Sequence, residues 1–329
     1  PLAAALAGVI AGSFLLAFLL SLLTPRGFTA WNNQLVDQFM RWRYTLVGAQ
    51  EVSPYLIHVV INDGSQEELE LPSWDRTVFG RVLDILQATP VQLIACDVFF
   101  KDPSFPENDR LLLEASGKRK QVIFPILVYP HGLSIRVPPE RVEPHILRPG
   151  VVSGRGQPPA GATVIPPFPQ LNRRALGLGH INYIPDRDGR CRRVPLFYRY
   201  RDGYIPAFSL KIILEFFQVP EENVEVVFGR HVVLRGARIR EDLVQDVTIP
   251  VDRQGRIIVN FAAPWNDAFL NFPVHKLLTA AGEKAPRSHL FDLMDGALVV
   301  FSDVSTTNRD YGPGIFETVY PLSGIHMSV

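Results

Sequence analysis

Cysteine is scarce, with two residues in 329. Cys96 and Cys191 make neither a disulfide framework nor a metal site. Cys96 sits inside the apolar run Leu93–Phe100 and reads as a buried thiol. A Cys96–Cys191 bridge in an oxidising compartment stays open as the alternative. Net charge is absent too, because 33 basic and 33 acidic residues cancel and no long run of one sign occurs. A nucleic-acid binder carries a basic excess, so that class is disfavoured. Steering toward anionic lipid or acidic partners has no net field behind it.

Catalytic signatures are also missing. Ser116-Gly117-Lys118 lacks the earlier glycine of a phosphate-binding loop. There is no Gly-x-Ser-x-Gly elbow and no His-Glu-x-x-His. The eight histidines are scattered without ligand spacing. Asp186-Arg187-Asp188-Gly189 looks like the start of a calcium loop, but the later acidic ligands do not follow, so a tight turn is the better reading. The expectation is a protein without metal, cofactor or catalytic residues, and not an enzyme.

What the chain does have is apolar residues, 47% of the total, enough for one large domain or two ordinary ones. From Leu2 to Leu23 no charged residue occurs. About 20 apolar residues in a helix cross a hydrocarbon core of about 30 Å. Residues 1–24 therefore read as a transmembrane anchor in the lipid bilayer. The stretch is longer than a signal-peptide core and no Ala-x-Ala site follows it. Gly8 and Gly12 have the small-xxx-small spacing that lets membrane helices approach, which points to other membrane subunits or a homodimer as partners. Arg26, Arg41 and Arg43 would by the positive-inside rule hold the following side in the cytoplasm, but the opposing flank is not in the sequence.

Residues 25–54 read as an amphipathic connecting helix and linker, with Trp31, Leu35, Phe39 and Trp42 at helical spacing. Residues 55–329 read as one α/β domain, with a mainly parallel sheet flanked by helices and an added β-hairpin region. Strands are expected at 55–61, 91–100 and 121–128, alternating with helices at 75–88 and 107–116, with Asp75 as a cap. Ten prolines fall within 130–169, which reads as an irregular surface excursion. A hairpin follows across Arg201-Asp202-Gly203. Further expectations are a helix at 208–217, strands within 224–251 and at 256–261, a helix at 274–281 and a last buried strand at 297–302. Asp63, Asp97 and Asp303 each follow or end an apolar strand, where open parallel sheets bind ligands. With Ser65 they are the ligand-pocket candidates.

The residues resemble a known family, the type-two CHASE domain, an extracellular sensory module of bacterial adenylate cyclases and histidine kinases. Asp37 with Arg41-Trp42-Arg43 is similar to its opening segment. Val59-Val60-Ile61-Asn62-Asp63-Gly64-Ser65 resembles its first strand, with Asn62 as a variation. Leu71-Pro72-Ser73-Trp74-Asp75-Arg76 is similar to its Trp-Pro-Trp-x-Arg segment. Ile94–Phe100 resembles the strand ending in Asp-x-x-Phe, and Asp109–Leu112 the following helix start. The densest likeness runs from Gly179-His180-Ile181-Asn182 through Asp186–Gly189 to Arg192–Leu196. Gly324-Ile325-His326 resembles the exit, with Met327 where alanine is usual.

The resemblance implies a periplasmic or otherwise extracytoplasmic domain on the inner membrane, with a sensory role and an unidentified small-molecule ligand. The family module is normally followed by membrane helices and an output domain. The sequence ends at Val329 without them, so either more sequence follows or the module works without an output. Two functions are expected in competition. One is a non-catalytic sensory or interaction domain. The other is an accessory subunit packing its helix into a respiratory or photosynthetic complex and capping its periplasmic face.

Overall fold

A computed structural model describes residues 8–9, 12–13, 15–16, 18–19, 25–70, 76–240, 242–282, 292–317 and 319–329. Most of the expected anchor at 1–24 and the segment 71–75, with the expected cap Asp75, lie outside the described residues. Among the described residues no helix is long and apolar enough to cross a membrane. Gly8 and Gly12 are helical, and a Cβ on either would meet nothing within 4 Å.

The chain divides into two units, residues 1–50 and 51–329. In the first, α1 (Pro25–Val47) contains the expected amphipathic helix. Trp31, Phe39 and Trp42 are exposed on it. Gly48, with φ of +85°, donates its N–H to the Tyr44 carbonyl at 2.8 Å and ends the helix in a left-handed turn.

The second unit opens with β1 (Leu56–Ile61), α2 (Asp63–Glu68), α3 (Arg76–Gln87), β2 (Leu93–Cys96), α4 (Pro106–Gly117) and β3 (Val122–Tyr129). Then come β4 (Val151–Gly154), β5 (Thr163–Ile165), α5 (Pro169–Asn172), β6 (Gly177–His180), β7 (Arg193–Pro195), β8 (Phe197–Tyr200) and β9 (Gly203–Pro206). After α6 (Phe208–Phe216) follow β10 (Val224–Phe228), β11 (His231–Arg240), β12 (Leu243–Pro250) and β13 (Arg256–Ile258). The last stretch holds α7 (Trp265–Ala268), β14 (Asn271–Pro273), α8 (Val274–Gly282), β15 (Leu298–Asp303), β16 (Tyr311–Gly312), β17 (Tyr320–Pro321) and α9 (Leu322–Ser328).

The main sheet runs β14-β1-β15-β2-β3-β5, with β6 also on β3. Every pairing in it is parallel except β3 with β5. β1 and β15 are near-continuous apolar runs because both faces of a parallel sheet are covered. On one face lie Phe79, Val82 and Leu83 of α3 with Leu112 of α4, against Ile57, Val59, Cys96 and Phe301. The other face carries Phe208 and Ile212 of α6, with Met327 of α9, against Ala95, Leu298 and Val300. Mixed α/β architecture with helix-flanked sheets is thus observed, but β1 and β2 are not neighbours. The last long strand, β15, enters between them.

The Pro-rich stretch is a correction. It supplies β4, which pairs in parallel with β10 in a second sheet of order β12-β11-β10-β4, and β5, which joins the main sheet. Neither strand contains proline. Pro139, Pro144 and Pro169 instead occupy first turns of short helices, where a missing N–H costs nothing. Two expected strands also end early, β2 at Cys96 and β13 at Ile258.

The Asp186–Gly189 segment is a tight turn. Gly189, with φ of +82°, donates its N–H to the Asp186 carbonyl at 2.9 Å. Its carboxylates hold Arg192, whose side chain is 2% exposed, at 2.9 Å from Asp186 and 2.6 Å from Asp188. Both cysteines are free and buried. Burial pushes the Cys191 thiol up to about 12 and raises the Cys96 thiol further.

α3 and α4 pack at Gly80, where a Cβ would lie 2.8 Å from the backbone of Leu111 and Leu112. Gly80→Ala gains about 1 kcal/mol of helix propensity. Overpacking against backbone costs about 1–3 kcal/mol. A net loss of up to about 2 kcal/mol is expected in urea unfolding. A stabilised variant would show that the helices part freely.

Candidate functional site

The parallel strands β1, β15 and β2 finish side by side. Ile61 pairs with Asp303, and Cys96 with Phe301. The Asp97 N–H donates to the Phe301 carbonyl at 2.8 Å, which carries the pairing one residue past β2. Asp63, Asp97 and Asp303 are therefore delivered to one edge of the sheet, although their carboxylates do different things.

Asp63 ties down the loop after β15. Its Oδ1 accepts from the N–H and the hydroxyl of Thr306 at 2.8 and 3.0 Å. Asp303 Oδ1 accepts from the Ser305 N–H at 2.9 Å and the Ser305 hydroxyl at 2.6 Å. Gln66 donates to Ser305 Oγ at 2.9 Å and accepts from Thr307 Oγ1 at 2.8 Å. Ser65 is fully buried, 2.9 Å from Asn62 Oδ1 and 3.0 Å from His275 Nδ1, so its hydroxyl joins α2 to α8. Asn62 caps α2 by accepting the Ser65 N–H at 2.9 Å. The structure brings Asp63 and Asp303 into one hydrogen-bonded network with the loop after β15 and ties Ser65 instead to Asn62 and His275.

Asp97 differs from them. Among the described residues no side-chain or backbone donor is bonded to its carboxylate, and desolvation pushes that carboxyl up to about 7. Strand alternation turns it away from Cys96, toward the face covered by α6 and α9. There it meets groups that sequence reasoning did not select. Asp310 is displaced upward to about 6, by desolvation first and then by the charge of Asp97, with Asp303 adding to it and His326 opposing it. Asp310 is an exposed residue whose carboxyl nonetheless feels these neighbours, so solvent screens part of that displacement.

Behind these carboxylates lie two buried imidazoles. His326 Nδ1 and both ring nitrogens of His180 are buried with no hydrogen-bond partner. Desolvation lowers His326 to about 4 against the opposing charge of Asp310. His180 falls to about 3 through desolvation and the charge of His326. The His180 ring meets Tyr198 edge-on at 4.8 Å, and His326 meets Phe208 at 5.8 Å. His58 is the contrasting case, satisfied at 2.7 Å by Asn271 Oδ1 and at 2.6 Å by Ser302 Oγ. His180 and His326 stood inside sequence segments already singled out, whereas Asp310 carried no local signal.

Hollows elsewhere have other characters. One of about 590 Å³ lies among Tyr55, Leu56, Phe216, Phe217, Leu298 and Met327, at the opposite, amino end of the strands. Another of about 690 Å³ is lined by His145, Arg148, Lys211 and Glu221. Among the described residues no trio of His, Cys, Asp or Glu is placed to hold a metal.

Compared with known protein families, residues 13–329 match the CHASE2 domain. The chain belongs to this family. CHASE2 domains are sensory modules, typically extracellular, and not themselves catalysts. No curated protein and no solved structure matches the chain significantly.

Proposed function

We propose that this CHASE2 chain is a membrane-anchored, non-catalytic sensory domain whose module lies outside the cytoplasm and takes a small ligand at the carboxyl ends of β1, β15 and β2. Residues 1–24 serve as the anchor, 25–54 as the connecting helix and 55–329 as the sensory domain. The observation that supports a ligand there is Asp97, a strand-end carboxylate without a hydrogen bond beside Asp63 and Asp303, each of which accepts two at its Oδ1. Sensing follows if the ligand binds one arrangement of the loop at 304–310 more tightly than another, because only differential affinity shifts a conformational equilibrium. Fusing alkaline phosphatase after Val329 tests the topology. Activity in intact cells, with the protein retained in carbonate-washed membranes, is the expected result. An active cytoplasmic reporter in place of the phosphatase sinks the proposal.

A second reading, an accessory subunit of a larger membrane complex, has one supporting observation. Trp31, Phe39 and Trp42 are exposed on α1, where an amphipathic surface suits an interface. Co-purification with a membrane complex at fixed stoichiometry supports it. Migration of the detergent-extracted native protein as a monomer or homodimer removes it.

A further inference from the structure

A cleft of about 690 Å³ opens between the segment 143–148 and the end of α6, a volume within the range of small-molecule sites. His145, Arg148, Lys211, Gln218 and Glu221 line it, together with the aliphatic Leu214 and Val219. Most of its charge is already matched. Lys211 Nζ lies 2.5 Å from Glu215 Oε1. Arg148 reaches Glu143 at 2.5 Å and Asp202 at 2.9 Å. Glu221 Oε2 accepts the Arg148 N–H at 2.9 Å, and no cation among the described residues pairs with it.

What stays open among the lining residues are hydrogen-bonding groups. His145 Nε2 lies 2.7 Å from Asn172 Oδ1, and Asn172 Nδ2 donates to the Arg141 carbonyl at 2.8 Å. The second bond orients the amide, so Oδ1 accepts and Nε2 carries the proton. Nδ1 is then a lone-pair acceptor. Among the described residues nothing bonds to it, and unlike the ring nitrogens of His180 it is not sealed from solvent. Desolvation lowers His145 to about 4, so the ring stays neutral and keeps that acceptor at physiological pH. Gln218 is the other open group. It stands just past α6 with φ of +54°, where glycine is the usual residue. Its exposed amide has no partner among the described residues. Position 218 thus carries a cleft-lining side chain on a strained backbone.

We propose that this cleft binds an uncharged polyhydroxyl compound of monosaccharide size, with hydroxyls on His145 Nδ1, the Gln218 amide and Glu221, and its C–H faces against Leu214 and Val219. The site is separate from the strand-end crevice and does not depend on a ligand there. A hydroxyl both donates and accepts, which suits two open acceptors beside an amide. An anion finds no open cation, since Lys211 and Arg148 already hold carboxylates. A cation finds only the exposed carboxylate of Glu221, whose attraction water screens. A wholly apolar ligand would displace water from His145 Nδ1 and give it no donor.

Gln218 separates binding from stability. Glycine adopts a left-handed backbone without strain, so Gln218→Gly removes the amide and leaves the end of α6 as it is. The variant is expected to melt within about 2 °C of the wild type while losing affinity. A residue kept only to end the helix would show no such loss.

The test is calorimetric titration of the full chain, in a detergent without sugar headgroups, with glucose, galactose, N-acetylglucosamine and myo-inositol. Glutamate, putrescine and phosphate are the comparison solutes. At least one polyol is expected to bind with a Kd of about 1 mM or tighter. Gln218→Gly and His145→Phe are each expected to weaken it about fivefold, as the loss of one hydrogen bond does. If His145→Phe fails to fold, Gln218→Gly decides alone. No polyol binding at about 10 mM, binding that survives these changes, or tighter binding of glutamate, putrescine or phosphate overturns the proposal. Polyol binding that is lost in Asp97→Asn and kept in Gln218→Gly overturns it as well. The ligand then sits at the strand ends, and the sensory reading stands while this one falls.

Discussion

Replacing both Asp186 and Asp188 by alanine is expected to lower the unfolding free energy by about 3 kcal/mol, the low end of the usual cost of taking a carboxylate partner from a buried charge. Arg192 is the reason. Its guanidinium is 2% exposed and reaches Asp186 at 2.9 Å and Asp188 at 2.6 Å. Without these carboxylates a full charge stays buried at the base of β7. The low end applies because Asp188 is half in water, where solvent screens the pair. Arg192→Met should cost much less, since it removes the buried charge and leaves two carboxylates that water can reach. Urea unfolding of the two variants decides between these costs. If Arg192→Met proves the more harmful, the turn exists to place the arginine for some other purpose. Asp188 also has a pH consequence. Its folded value is lowered to about 2, first by the Arg192 hydrogen bond, below the unfolded value near 3.9. Its contribution is complete above pH 4 and disappears as pH falls through about 2.

Stability should rise with pH between about 4 and 6.5, and steeply. His58, His180 and His326 are buried and titrate at about 4, 3 and 4 in the folded chain. Unfolded histidine titrates near 6.5. In that window the unfolded chain binds more protons, so acid favours unfolding. Each such group adds up to about 1.4 kcal/mol per pH unit. Asp97 and Asp310 act in the opposite direction, because their folded forms keep protons that the unfolded chain has released. His145, also lowered to about 4 by desolvation, makes four histidines against the raised carboxyls of Asp97, Asp310 and Asp303, which leaves a net rise of about 1 kcal/mol or more per pH unit. Thermal melts from pH 4.5 to 7.5 measure it. A flat profile would mean that water reaches the imidazoles. His180→Phe should flatten the slope, and His58→Phe should do so while also costing the Asn271 and Ser302 hydrogen bonds.

Periodicity carried far along this chain, as particular elements show. The runs at 55–61 and 121–128 appear as β1 and β3, and the helical spacing at 75–88 and 107–116 as α3 and α4. β2 was one misjudged strand. Val98 and Phe100 continue the apolar pattern and are buried, but they lie past the end of β2, where Phe100 packs edge-on against Phe79 of α3 and Phe124 of β3. An apolar run reports burial, and burial alone does not distinguish strand from packed loop. In the Pro-rich stretch the prolines truthfully marked where regular structure stops. The short strands between them, Val151–Gly154 and Thr163–Ile165, exist only because β10 and β3 offer partners.

The crevice divides in the same way. The order of residues was enough to show that Asp63, Asp97 and Asp303 end strands, since an apolar run closing on a carboxylate is a local pattern. Whether those carboxylates remain available depended on groups far along the chain. Thr306 engages Asp63 across 243 positions. Asp97 and Asp310 come together only because β15 enters between β1 and β2. By itself the sequence determined an α/β domain of the CHASE2 kind, the chain segments that build its sheet and the absence of familiar catalytic motifs. Tertiary structure alone decided the strand order, which carboxylates are tied down and which histidines are left unpaired. Local pattern is written in neighbouring residues, whereas desolvation and hydrogen-bond satisfaction are set by whatever the fold brings alongside.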